Sequence, residues 1–289
     1  MSTEASPGTD ADLAELIARG ERGEPAAVLR LLSELSGVAA AAWAVPAAVD
    51  GEEKGRHRLQ QLMPELLSAA NSGDSKAQCL LGAAALEIDE DFAAAAHWFG
   101  LAAEARFAEG LRGLGLLYMA GAGVERDLAR AAEFFGAAAE LGDGVAAFNL
   151  SVCCSRGLGV PVDQGRAWEL MQLAADLGRV EADAEIADRL AGEGRREEAL
   201  GRYVTAAAGG HVDAALTAAR WFRDGVGTTP DPVQALRWFL DLMSLGDMSG
   251  VHECHLLAAT ASVEQILEAG RLARQERYAE TLAERRRGN

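Results

Sequence analysis

The chain has 289 residues, and its 27 Lys and Arg stand against 44 Asp and Glu for a net charge of −17. So acidic a chain disfavours nucleic acid as a ligand. Its one long apolar run, Val38 to Val49, is interrupted by Pro46 and falls well short of the roughly 20 residues a membrane helix needs, so the composition fits a soluble all-α array.

In chain order, Met1 to Asp12 is acidic and polar where a secretory signal is basic and then apolar. This predicts a cytoplasmic protein with a disordered N-terminus over residues 1–10. Leu13 to Leu35 reads as degenerate helical segments, and Val38 to Val49 as a segment that packs onto the first repeat. Together they predict an N-terminal helical cap over residues 11–55.

From residue 56 to residue 260 the sequence is periodic, and a periodic chain is read as an array before anything else. Small residues run into a turn at Ala138-Ala139-Glu140-Leu141-Gly142, Ala174-Ala175-Asp176-Leu177-Gly178, Ala206-Ala207-Ala208-Gly209-Gly210 and Leu242-Met243-Ser244-Leu245-Gly246. These closing glycines stand 36, 32 and 36 residues apart. Ala102 to Arg106 and Ala69 to Gly73 extend the series upstream, with Arg106 in place of one glycine. The glycines suit the left-handed residue that commonly ends a helix.

Three of the units carry a glycine pair between their two helices: Gly121-Ala122-Gly123-Val124, Gly157-Leu158-Gly159-Val160 and Gly225-Val226-Gly227-Thr228. Asp91, Asp127, Asp163 and Asp231 hold the place where an N-cap oxygen meets the free amides of the second helix. Arg195 holds it in the fourth unit, whose second helix is therefore expected to be the worst capped. First helices carry a small residue, as in Leu81-Gly82, Leu114-Gly115 and Leu150-Ser151, which allows close helix approach. Second helices carry a bulky pair: Trp98-Phe99, Phe134-Phe135, Leu170-Met171, Arg202-Tyr203 and Trp238-Phe239. Trp98 is expected in the core, where its deletion to alanine costs about 3–5 kcal/mol.

The chain resembles the Sel-1-like repeat family, relatives of tetratricopeptide repeats lengthened by a Gly-x-Gly-Val loop, over roughly Leu62 to Ala259. Leu114-Gly115-Leu116-Leu117-Tyr118, Gly121-Ala122-Gly123-Val124, Asp127 and Ala138-Ala139 form the clearest copy. The resemblance implies an all-α fold, a right-handed αα-superhelix of about five to six helix pairs with helical caps, used for protein contacts. The sequence departs from the family at Ala85, Cys154, Leu190, Phe222 and Ala258, which replace a tyrosine. Disulfide-rich secreted members have been linked to β-lactam hydrolysis, but their regular cysteine pair within each unit is missing. Cys79, Cys153, Cys154 and Cys254 instead read as thiols packed as small hydrophobes.

Residues 261–289 read as a closing helix with a basic tail. Ser262-Val263-Glu264-Gln265 is a capping-box pattern that places Ile266, Ala269 and Ala273 on one face. The tail from Arg271 onward holds six arginines against three glutamates, and Arg285-Arg286-Arg287 reads as a solvated helix end. His252-Glu253-Cys254-His255 has its histidines three apart rather than four, with no third ligand in view. Serine nucleophile elbows, phosphate-binding loops and dinucleotide fingerprints are missing as well. No enzyme, cofactor or metal role is expected.

A helical projection of the unit around Ala146 separates Ala147, Leu150, Ser151 and Cys154 from Phe148, Asn149, Val152 and Arg156. Equivalent positions elsewhere are Arg112 and Leu116, and Leu216, Arg220 and Arg223. In a superhelix the first helices line the concave surface, so these nine residues form the candidate partner-binding set, an apolar groove with an arginine rim. Alternatively Leu116, Val152 and Leu216 are packed between neighbouring helices. The chain thus reads as a scaffold or adaptor, a monomer or weak homodimer, for a protein or peptide with apolar anchors and acidic groups. The other readings are a homo-oligomeric assembly element and, with the least support, a hydrolase or metal-binding protein.

Overall fold

The computed structural model describes residues 10–21, 25–244 and 247–288. The expected disorder over residues 1–10 and the turn at Gly246 therefore fall largely or wholly outside the described residues. The chain divides into two compact units, one ending at Gln164 and the other beginning at Gly165.

The first unit opens with α1 (Asp10–Glu21), α2 (Pro25–Glu34) and α3 (Gly37–Val49), followed by α4 (Glu53–Asn71), α5 (Ser75–Glu87), α6 (Phe92–Glu104), α7 (Ala108–Ala120), α8 (Leu128–Glu140) and α9 (Gly144–Arg156). Helix α10 (Gln164–Asp176) starts at the last residue of this unit. The second unit continues with α11 (Val180–Gly192), α12 (Arg196–Ala208), α13 (Val212–Asp224), α14 (Pro232–Ser244), α15 (Ser249–Ala258), α16 (Val263–Leu272) and α17 (Glu276–Gly288). Seventeen helices among the described residues exceed the expected five to six pairs. The reason is that both caps are built from paired helices: α1 packs on α2, α3 on α4, and α16 on α17. The closing segment is thus two helices, separated at Arg274, which takes a positive φ of 53°.

The alanine run of α3 buries Ala40, Ala41, Ala44, Val45, Ala47 and Ala48 against Leu59, Leu62 and Leu66 of α4 and Ala77, Leu81 and Ala84 of α5. Small side chains bring the α3 and α4 backbones close. A Cβ on Gly55 would lie 2.6 Å from that of Ala47, so alanine does not fit there.

Within the repeats, each turn signal has a physical counterpart. Gly121, Gly157 and Gly225 end α7, α9 and α13 in the left-handed conformation, with φ of 73°, 72° and 71°. The following amide folds back onto the helix carbonyls Leu117, Cys153 and Trp221. Each loop then closes through the amide of Asp127, Asp163 or Asp231, which donates to the carbonyl of Tyr118, Cys154 or Phe222 at 2.8–3.0 Å. The second glycine of each pair serves the preceding repeat. Gly123 lies on the first turn of α6 at Phe92, Gly159 on that of α8 at Leu128, and Gly227 on that of α12 at Arg196. The partners are 31 residues apart in all three cases. Any Cβ there would run into a backbone carbonyl, so the glycine pair is an inter-repeat clamp as well as a turn.

Among the aspartate caps, Asp91 accepts from the Ala94 amide, Asp127 from Ala129 and Arg130, and Asp231 from Val233 and Gln234. Arg195 makes no cap bond to α12, as expected, and pairs with Glu193 and Glu198. Arg106, standing where the series has glycine, is forced to a φ of 54°.

The bulky pair needs one correction. Trp98 and Phe134 are only half-buried, while Phe99 and Phe135 are the core residues. The reason is their facing partners. The Phe99 ring occupies the space over Gly82 and Gly113, where a Cβ would approach it to 2.7 Å, and Phe135 lies over Gly115 in the same way. At Arg202 the pair becomes polar, and its Nη1 donates to Oδ1 of buried Asp183 on α11 at 2.7 Å. An ion pair there replaces apolar contact on both helices, since Asp183 stands at the register position of buried Ala147.

Candidate partner-binding face

Six of the nine candidate residues lie in the first unit. On α9, Ala147, Ser151 and Cys154 are buried and Arg156 is exposed, but Leu150, expected on the packed side, is half-buried like Phe148, Asn149 and Val152. On α7, Leu116 is exposed (38%) and Arg112 half-buried. Arg112 is held firmly. Its Nε donates to Oδ2 of Asp143, the N-cap of α9, at 2.8 Å, while Oδ1 of Asp143 accepts from the Ala146 amide at the same distance. Cys79 of α5 occupies the Arg112 register one repeat earlier and lies close enough for the guanidinium to oppose the rise of its thiol pKa. Burial, with Glu109 adding to it, nevertheless pushes that thiol up to about 12.

Helices α5, α7 and α9 share one register, in which Cys79, Arg112 and Phe148 are equivalent, as are Ala83, Leu116 and Val152; α5 packs on α7, and Arg112 links α7 to the N-cap of α9. The row containing Leu116 is apolar and partly open; Arg156 adds a cation at the last turn of α9. Its lining can receive aliphatic or aromatic side chains and pair with a carboxylate.

The other three candidates lie on α13 in the second unit. Leu216 is half-buried and Arg220 exposed. Arg223 grips Asp224 through Nε and Nη2 at 2.7 and 2.9 Å and reaches Glu253 of α15 through Nη1 at 2.7 Å. Its hydrogen bond to Asp224 holds that carboxyl below the ordinary aspartate range. Arg112 and Arg223 are thus bridges to the next first helix of their own unit.

Sequence reasoning missed the acids that hold these arginines, together with the first-helix caps Asp74, Asp143 and His211, which accept from Ala77, Ala146 and Ala214. A signal was present in the Gly73-Asp74 and Gly142-Asp143 dipeptides at the end of each turn. Further cations lie over aromatic rings, Arg130 at 4.4 Å from the Tyr118 centroid and Arg189 at 4.1 Å from that of Trp168. Cys153 and Cys254 are fully buried, Cys154 is buried and Cys79 half-buried, and none of the four is in a disulfide. Among the described residues, no three His, Cys, Asp or Glu side chains are grouped to hold a metal ion, and no helix is long and apolar enough to cross a membrane.

Paired helices, left-handed glycine caps and a register kept from one pair to the next define a tetratricopeptide-like repeat array, the general kind of module that serves protein–protein interaction. Residues 75–107, 108–143, 144–178 and 212–240 match the Sel1 repeat, and over these residues the chain belongs to the Sel1 repeat family. The matched residues leave out 179–211, the stretch containing α11 and α12 with their Arg195 and Arg202 departures. A crystal structure of a Sel1 repeat protein from Oxalobacter formigenes shares the fold, with a TM-score of 0.62 at 18% identity over 87% of this chain and 91% of that one. A protective antigen of uropathogenic Escherichia coli strains displaying an SLR fold gives 0.52 at 22% identity, over 94% of this chain and 65% of that one. No curated protein matches the sequence.

Proposed function

We propose that the chain is a non-catalytic scaffold that binds a partner protein or peptide on the open side of its first helices. The α5–α7–α9 face of the first unit provides the best-supported contact. The observation that carries this reading is the exposure of Leu116 in the same register as half-buried Ala83 and Val152, with half-buried Phe148 one turn away on α9. Side chains of this kind, rimmed by the Arg156 cation, suit a ligand with apolar anchors and acidic groups. Leu216 and Arg220 offer a similar, smaller surface in the second unit. That none of Cys79, Cys153, Cys154 and Cys254 is in a disulfide supports a reducing, cytoplasmic setting.

The test is site-specific photo-crosslinking in host cells, with the crosslinking residue placed at Leu116, at Val152 or at exposed Glu133 on α8. A partner captured from positions 116 and 152 but not 133, and lost in a folded Leu116→Glu, Val152→Glu variant, supports the reading. Capture from 133 alone moves the contact off this face. Capture only of the chain itself replaces the adaptor with a self-assembling element.

A further inference from the structure

The tail arginines are the part of the sequence that the groove leaves unused, and the structure gives two of them a place. At the end of the second unit, α15 and α17 border a half-open cavity of about 210 Å³ lined by Ala258, Ala259 and Leu282 and by the exposed His255, Arg285 and Arg286. In a chain with 44 acidic residues, this lining contains no carboxylate. Nor do the cavity's arginines have an acid on their own helix at the spacings where one would pair with them. The residues three and four before Arg285 are Leu282 and Thr281, and those before Arg286 are Ala283 and Leu282.

The remaining contacts hold the site in shape without neutralising it. Arg286 donates from Nε to the Ala261 carbonyl at 3.2 Å, which anchors the side chain and leaves its two terminal nitrogens. His255 is fixed by Tyr278, whose hydroxyl lies 3.1 Å from Nε2 and whose ring stacks on the imidazole with centroids 6.2 Å apart. Among the described residues, Arg285 has no carboxylate partner. Glu253, the nearest acid along α15, is bound to Arg223.

We propose that this cavity is a binding site for a phosphate monoester, held by Arg285 and Arg286 beneath the His255 ring. Two guanidinium forks match the geometry of a phosphate, and their two charges balance a dianion where a carboxylate would leave one unmet. Ala258, Ala259 and Leu282 form an apolar wall for a small substituent on the ester. The site is independent of the α5–α7–α9 face.

The experiment is a calorimetric titration of the full chain with phenyl phosphate, inorganic phosphate and benzoate at matched ionic strength. Expected is saturable 1:1 binding of phenyl phosphate, several-fold tighter than inorganic phosphate and at least tenfold tighter than benzoate. Arg285→Gln, which keeps the Arg286 anchor to the Ala261 carbonyl, is expected to weaken phenyl phosphate at least tenfold with an unchanged helical circular dichroism spectrum. Binding that does not saturate, or that survives in Arg285→Gln, overturns the site. Equal affinity for benzoate overturns the phosphate assignment, and equal affinity for inorganic phosphate overturns the ester.

Discussion

Arg112 donates to one oxygen of Asp143 while the other oxygen of the same carboxylate caps α9, so a single side chain fastens one repeat to the next and starts the following helix. The Asp143 side chain is 8% exposed and that of Arg112 29%, which places the pair where solvent screens it only in part. Asp143→Ala removes both bonds and is expected to cost about 1–3 kcal/mol. Arg112→Met, which leaves the cap in place, is expected to cost less. Urea unfolding of the two variants checks the order, and a smaller loss for Asp143→Ala would deny the double role.

The glycine clamp gives a sharper contrast within the first unit. Gly142 and Gly159 both have positive φ, 88° and 76°, but only at Gly159 would a side chain meet backbone. Gly142→Ala is expected to lose about 1–2 kcal/mol from conformation alone. Gly159→Ala must in addition move α8 or its own loop, so its denaturation midpoint should fall further, with a total above about 2 kcal/mol.

Arg106 pays the left-handed penalty without a side-chain reason, being exposed at a φ of 54°. Arg106→Gly is expected to stabilise the chain by about 0.5–1 kcal/mol, the relief of strain exceeding the entropy that glycine adds to the unfolded state. A thermal midpoint at or below that of the parent would contradict this.

Phe99→Ala is expected to cost about 3–5 kcal/mol, because the ring fills the space over Gly82 and Gly113. Trp98→Ala should cost clearly less, since Trp98 is half-buried. Matched thermal melts decide between them.

Complete burial pushes the Cys254 thiol up to about 12. The unfolded chain loses this proton from about pH 8.5, whereas the folded chain keeps it. The folded state then binds more protons, so this contribution is intact below that pH and is lost as pH rises toward 12. Urea midpoints should fall from about pH 9 to about pH 11, and the fall should be shallower in Cys254→Ala measured against its own value near neutral pH. At about pH 8, Cys254 should resist iodoacetamide until the chain is denatured.

Much of the repeat was legible because its signals are local. A left-handed glycine, an aspartate at an N-cap and a small residue facing a bulky one each answer to backbone geometry within a few residues, and Gly121, Asp127 and Gly115 behave accordingly. The hidden part depends on which helix lies opposite. Nothing near Arg202 in sequence names Asp183 as its partner, and nothing near Trp98 says that Phe99 takes the glycine-lined side. The charges of the candidate face were not legible, because the bridge from Arg112 to Asp143 spans 31 residues and the one from Arg223 to Glu253 spans 30.

The glycine clamp also sets where the array can be cut. A fragment ending at Gly142 would contain all of α7 and α8 yet expose the first turn of α8, because its cover, Gly159, belongs to the next pair. The autonomous segment is longer than the period of the sequence. A shortened version of this protein should therefore keep the loop of the pair it discards.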